Sequence, residues 1–135
     1  MKTLITAGLV VVKERKLLLA FSNNKKAFYL PGGKTDRGET TAEALVREMS
    51  EELNVSLDPG ALRFYMHVEA LAYGEKEDIL TKRDCFRTEL PVTPHPAAEI
   101  GDLRDFDTQR YRQEPQQVPG VITVMERLKM DDLID

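Results

Sequence analysis

Apolar and polar positions follow two rhythms along this chain. Thr3 to Val12 is an almost unbroken run of apolar and β-branched residues, which predicts a strand. The polar triplet Lys13-Glu14-Arg15 turns it, and Lys16 to Phe21 reads as the returning arm of a hairpin. Ser22 to Lys26 is loop-like, and Phe28-Tyr29-Leu30 is a short aromatic strand halted by Pro31-Gly32-Gly33. Gly33 to Glu39 reads as a polar loop. The spacing then becomes helical from Thr40 to about Leu53. Thr40 and Glu43 have the separation of a capping box, in which each side chain satisfies the other residue's free backbone N–H. Asn54 stands where a helix commonly stops in a left-handed turn. Leu62 to Tyr73 and Ile79 to Leu90 read as two long strands around the polar turn Gly74 to Asp78. A proline-rich loop from Pro91 to Pro96, a short strand from Ile100 to Phe106 and a closing helix from Val121 to Leu128 complete the pattern. Strands dominate, with one helix early and one late, which predicts an α/β fold with a mixed sheet between helices.

On a helical wheel the first helix divides sharply. Ala42, Leu45, Val46, Met49 and Leu53 share a core face, while Glu48, Glu51 and Glu52 gather beside it, with Glu52 on the boundary. Glu48 faces Glu51 and Glu52 at the i,i+3 and i,i+4 separations, and each like-charge pair costs roughly 0.2–0.5 kcal/mol. Glu51 and Glu52 also lie at the C-terminal end, where the helix dipole disfavours negative charge by about 0.3–1 kcal/mol each. Arg47, four residues from both Glu43 and Glu51, offsets part of this. A solvated acidic face is the plain alternative. A bound divalent cation would reverse the sign of every one of these effects, and an oxygen-only ligand set favours magnesium or manganese over zinc.

The chain has 135 residues, 41% hydrophobic and 31% charged, as in an ordinary globular protein. One domain over residues 1–135 is expected. The formal charge of −4 carries no basic stripe, which argues against a nucleic-acid partner. It also means that an anionic phosphate ligand needs a cation between itself and the acidic helix. The single cysteine, Cys85, excludes an internal disulfide. Lys2 followed by the apolar run Leu4 to Val12 has the outline of a short signal peptide. The run breaks at Lys13 without a small-residue cleavage site and is too short to span a bilayer. A strand, a cytoplasmic location and no membrane partner are expected.

Residues Gly33 to Val55, GKTDRGETTAEALVREMSEELNV, resemble the Nudix box G-x5-E-x7-R-E-U-x-E-E-x-G-U of the MutT-like hydrolases, where U is aliphatic. Gly33, Glu39, Arg47, Glu48, Met49, Glu51, Glu52 and Val55 match. Asn54 departs from the glycine of the pattern, a change that the tolerance of asparagine for positive φ makes acceptable. Leu30-Pro31-Gly32 resembles the usual lead-in. The resemblance implies a Nudix-type α/β/α sandwich with a mixed sheet, a catalytic loop-helix after the third strand and a C-terminal helix. It implies magnesium-dependent hydrolysis of a diphosphate bond in a nucleoside diphosphate linked to another group. Nucleoside triphosphates, nucleotide sugars and dinucleoside polyphosphates all stay open as substrates. Glu48, Glu51 and Glu52 would bind magnesium (manganese being the alternative), with the Gly32 carbonyl a further ligand. Glu39 and Arg47 would pair and brace the loop. Glu51 or Glu52 would be the general base, with Glu99 on a later loop as the other candidate. A non-catalytic nucleotide sensor of the same fold is the second reading. Family members are often homodimers.

Gly33-Lys34-Thr35 has the ending of a P-loop, but the first glycine of that motif would fall on Phe28, so it fails. His67, His95 and Cys85 lack the spacing of a metal or nucleophile site and read as structural. Phe21, Phe28, Tyr29 and Tyr73 are candidates to stack on a substrate base. Tyr73, 18 residues beyond Val55, is a weak hint of a dinucleoside polyphosphate.

Overall fold

A computed structural model of the chain describes residues 1–75 and 78–135. The strands are β1 (Lys2–Val10), β2 (Val12–Lys13), β3 (Lys16–Ser22), β4 (Ala27–Tyr29), β5 (Gly32–Lys34), β6 (Arg63–Leu71), β7 (Ile79–Arg87) and β8 (Ile100–Phe106). The helices are α1 (Thr41–Leu53), α2 (Thr108–Tyr111) and α3 (Pro119–Met130). One sheet has the order β5-β1-β7-β6 and is mixed, because β1 and β7 run parallel while the other pairs are antiparallel. In the second sheet β3 pairs with β2, β4 and β8, all antiparallel.

Strand alternation divides β1 between two cores. Ala7 and Leu9 pack with Leu45, Met49 and Leu53 of α1 and with Phe86. Val10 and Cys85 face the other way, into a cluster with Leu19, Phe28, Phe106 and the α3 residues Val121, Val124 and Leu128. The mixed sheet is therefore covered by α1 on one face and by the second sheet with α3 on the other. This is the sandwich the sequence predicts.

The differences from expectation have local causes. The first apolar run is one stretch in sequence but serves two sheets, breaking at Val11 between β1 and β2. Glu14 and Arg15 make the hairpin turn with φ of 52° and 61°. The three anticipated strands do precede the first helix, but β2 and β5 add to them. β5 carries no apolar pattern. It forms because its backbone pairs with β1, Gly33 opposite Ala7 and Gly32 opposite Gly8. The two long strands end at Leu71 and Arg87, short of Tyr73 and Leu90. The turn anticipated between them includes residues 76 and 77, which lie outside the described residues. The single turn α2 goes unannounced by periodicity. It is capped by Asp107, whose carboxylate accepts the Arg110 N–H at 2.8 Å. α3 starts earlier than Val121, at Pro119, a residue suited to the first helical position.

Candidate active site

The acidic helix is fixed at both ends. The Glu43 N–H donates to Thr40 Oγ1 at 3.1 Å, and the Thr40 N–H donates to the Glu43 carboxylate at 2.9 Å, so both halves of the capping box form. At the other end Asn54 adopts φ 56° and ψ 37°, the left-handed turn that a glycine otherwise supplies. Asn54 Nδ2 donates to the His95 carbonyl at 3.1 Å. The backbone N–H groups of His95 and Ala97 donate to the carbonyls of Leu53 and Glu52 at 2.9 and 2.8 Å. The proline-rich segment thus satisfies carbonyls that a helix end leaves unpaired. It also ties Glu99, two residues on, to the helix that carries Glu52.

The loop in front is braced by Arg47. Its Nε and Nη2 grip the two oxygens of Glu39 at 2.9 and 3.0 Å, the bidentate geometry natural to a guanidinium. Nη2 also donates to the Lys34 carbonyl at 3.1 Å, joining the helix to β5. Nη1 reaches Glu48 at 3.0 Å and Glu51 at 3.4 Å and lies between two carboxylates that repel each other. The Arg47 hydrogen bonds, followed by the Asp36 N–H, hold the Glu39 carboxyl below its ordinary range.

Two glycines make the close approaches possible, Gly32 to the backbone of β1 and Gly33 to a carboxylate. Gly32 has φ +142°, and a Cβ there would collide with the Ala7 carbonyl oxygen. A Cβ on Gly33 would lie 2.8 Å from the Glu48 carboxylate. Glu48 is largely buried, and that burial raises its pKa against the pull of Arg47. Glu52 is raised further, to about 7, first by burial and then by the charge of Glu48, with Glu99 and Glu51 adding to it. Opposing them is the Gly32 N–H, which donates to Glu52 Oε1 at 3.3 Å. Among the described residues no lysine or arginine forms an ion pair with Glu52, and no three acidic, histidine or cysteine side chains converge on one point as a preassembled metal cage. The donor set nevertheless fits a hard divalent cation. It is oxygen-only and net negative, and it lacks a counter-ion where the carboxylates crowd most.

A cleft of about 260 Å³ opens beside this helix end, between the two sheets and α3. Glu52, Gly32 and Glu99 line it, and Glu99 Oε1 accepts the Ser22 hydroxyl at 2.9 Å. Tyr29 and Tyr73 also line it, with rings edge-to-face at 6.5 Å. Phe28 and Phe21 do not. Phe28 is 3% exposed and packs edge-to-face between Phe21 at 5.1 Å and Phe106 at 4.9 Å. The cause is strand phase: Phe28 is paired with Phe21 across β3 and β4, while Tyr29 is paired with Ala20 on the face that lines the cleft.

His67 lies away from the cleft, bonded to Asp84 at 2.8 Å and Glu69 at 3.0 Å. Cys85 is buried, and burial pushes its thiol up to about 11. Sequence reasoning passes over Arg83, which also lines the cleft. Its available signal is phase, since it shares the inward phase of β7 with Cys85, an unusual position for a charge.

A loop braced to an acidic helix beside a cleft between two sheets defines a protein class. The chain belongs to the NUDIX domain family, whose model matches residues 2–125. It is thereby a Nudix pyrophosphohydrolase, one of a family that acts on small nucleotide-type substrates and generally uses divalent metals. The MutT protein from Methanosarcina mazei Go1 shares 17% identity over 97% of this chain and 96% of its own, with a TM-score of 0.76. The E. coli ORF135 protein shares 20% over 100% and 96%, with a TM-score of 0.72. A bifunctional NMN adenylyltransferase/ADP ribose pyrophosphatase from Francisella tularensis, complexed with AMP and a Mn ion, shares 19% over 95% and 42%, with a TM-score of 0.67. Likeness at these identities speaks for the fold alone. No curated protein matches the chain. Among the described residues no helix is long and apolar enough to cross a membrane.

Proposed function

We propose that this chain, as a single domain, hydrolyses a diphosphate bond in a nucleotide or nucleotide derivative in a magnesium-dependent reaction, with manganese as a substitute. One observation carries the reading. Glu52 is partly buried against the Gly32 N–H among Glu48, Glu51 and Glu99, with no basic partner among the described residues. Such crowding is unfavourable for an empty fold and favourable for one that holds a cation.

Glu48, Glu51 and Glu52, with the Gly32 carbonyl, would hold the metal. When bound, it neutralises charge on the phosphate oxygens and lowers the pKa of a water. Arg47 and Glu39 keep the loop in register with the helix, so that the carboxylates meet the substrate in a fixed geometry. Glu51 or Glu52 accepts the proton of the attacking water in the first reading. Glu99 does so in the second, which its place in the same cleft as Glu52 favours. Tyr29 and Tyr73 offer flat surface for a base.

The deciding experiment is release of phosphate or pyrophosphate from a panel of nucleoside triphosphates, nucleotide sugars and dinucleoside polyphosphates, with and without magnesium. Glu52→Gln should keep the fold and lose most turnover, whereas near-wild-type activity in that variant rejects the metal assignment. Loss in Glu99→Gln alone, with magnesium affinity intact, moves the base to Glu99. Binding of nucleotides without release of any product identifies a sensor.

A further inference from the structure

Arg83 sits on β7 opposite Thr6 of β1 and Val68 of β6, on the cleft side of the mixed sheet. Its Nε donates to Thr6 Oγ1 at 3.0 Å. Its two terminal nitrogens meet no acceptor and no carboxylate among the described residues. Neither nitrogen is sealed away from solvent, since among the described residues no side-chain nitrogen is both fully buried and unpartnered. The free donors therefore face the cleft. Of the two lysines on the cleft wall, Lys25 is already tied to Glu75 at 2.6 Å and Lys34 lies on β5 beside Gly33. Burial lowers the pKa of Arg83, against the opposing pull of Cys85, Tyr29 and Glu52.

The surroundings say what kind of acceptor is missing. The carboxylates gather at the Gly32 end of the cleft, where a metal-bound diphosphate belongs. Around Arg83 the walls are Leu30, Val68 and Tyr29, and the Glu52 charge reaches it from the Gly32 side. These suit a flat ring better than a second hydrated phosphate. A guanidinium presents its donors as a planar fork, matched to two acceptors side by side.

We propose that Arg83 is a specificity-determining residue whose free nitrogens read a paired-acceptor edge of the substrate's base, guanine O6 with N7 or cytosine O2 with N3. Adenine is disfavoured, because its N7 acceptor stands beside an amino donor. The assignment rests on the nucleotide-hydrolase reading above.

The test compares kcat and KM for GTP, CTP and ATP in the wild type and in Arg83→Met, alongside binding of GMP, CMP and AMP in EDTA by calorimetry. The wild type should favour a guanine or cytosine nucleotide over adenine by about tenfold or more in both assays. The two favoured arms tell guanine from cytosine. Arg83→Met should abolish the preference by raising KM for the favoured nucleotide, with kcat and the adenine values little changed. Its melting temperature should stay close to wild type, since methionine keeps the apolar stem and loses only the bond to Thr6. Should that variant fail to fold, Arg83→Lys keeps the charge, loses the fork and should lose the preference too. A wild type without preference, a preference intact in either folded variant, or an equal fall in kcat for all three nucleotides overturns the assignment. Monophosphate discrimination that depends on Arg83, without hydrolysis, leaves it standing and removes the hydrolase reading. Hydrolysis whose preference ignores Arg83 does the reverse, and neither binding nor hydrolysis removes both.

Discussion

Replacing Glu52 by glutamine in the absence of metal should make the protein more stable, not less. In the fold this carboxyl is raised from 4.5 to about 7, by burial first and by the neighbouring carboxylates next. A carboxyl that titrates higher in the folded than in the unfolded chain weakens the fold as pH rises. The cost is absent below 4.5, grows up to about 7 and is complete above it. At about 1.4 kcal/mol per pH unit, the gap sets an upper bound of roughly 3 kcal/mol. Solvent screening at a cleft that is partly open reduces this to about 1–2 kcal/mol. Glutamine keeps the side-chain shape and still accepts the Gly32 N–H. Thermal melts in EDTA at pH 8 should therefore place the variant roughly 3–8 °C above wild type. At pH 4.5 the two should coincide. Saturating magnesium should raise the wild type and leave the variant nearly unmoved, because binding to the native state alone is what stabilises it. A variant no more stable than wild type at pH 8 in EDTA, or an equal response of both to magnesium, would refute the electrostatic account of the site.

Three further outcomes are expected. Gly33→Ala places a methyl 2.8 Å from the Glu48 carboxylate, so metal titration should show at least about tenfold weaker magnesium binding at little cost in folding. Asn54→Gly should be within about 1 kcal/mol of wild type in urea denaturation, whereas Asn54→Ala, at φ 56° and without the bond to His95, should lose roughly 1.5–3 kcal/mol. The pKa of His67 is raised above 6.5 by Asp84 and then Glu69, so its contribution is full below pH 6.5 and disappears as pH rises through the folded value. The stability difference between wild type and His67→Asn should shrink over that range, and a constant difference from pH 5 to 9 would contradict it.

The elements that are legible in the sequence are those with strong local physics. α1 announces itself through its cap, its core face and its stop, although in the core face Ala44 is fully buried and Ala42 and Val46 only partly so. β1, β3, β6 and β7 follow their apolar runs. β5 is illegible, because a strand of two glycines and a lysine is made by its partner rather than by its own side chains. The same distinction governs the site. Glu48, Glu51, Glu52, Glu39 and Arg47 lie within one helix and its loop, so spacing alone brings them together. The cleft is assembled from β1, β4, β7 and α3, and its lining depends on strand phase across two sheets. That is why Tyr29 and Phe28, adjacent in sequence, part company, and why Arg83 goes unnoticed among the residues of β7.

The seal that the proline-rich segment forms on α1 limits how such a chain can diversify. Since His95 and Ala97 cap the final carbonyls of the helix, the stretch from Pro91 to Glu99 is no ordinary spacer. An insertion there unseats a helix terminus and displaces an acidic group from the cleft in one event. Novel ligand preferences are more cheaply acquired on the Tyr73 side, where a change of length leaves the acidic machinery in place.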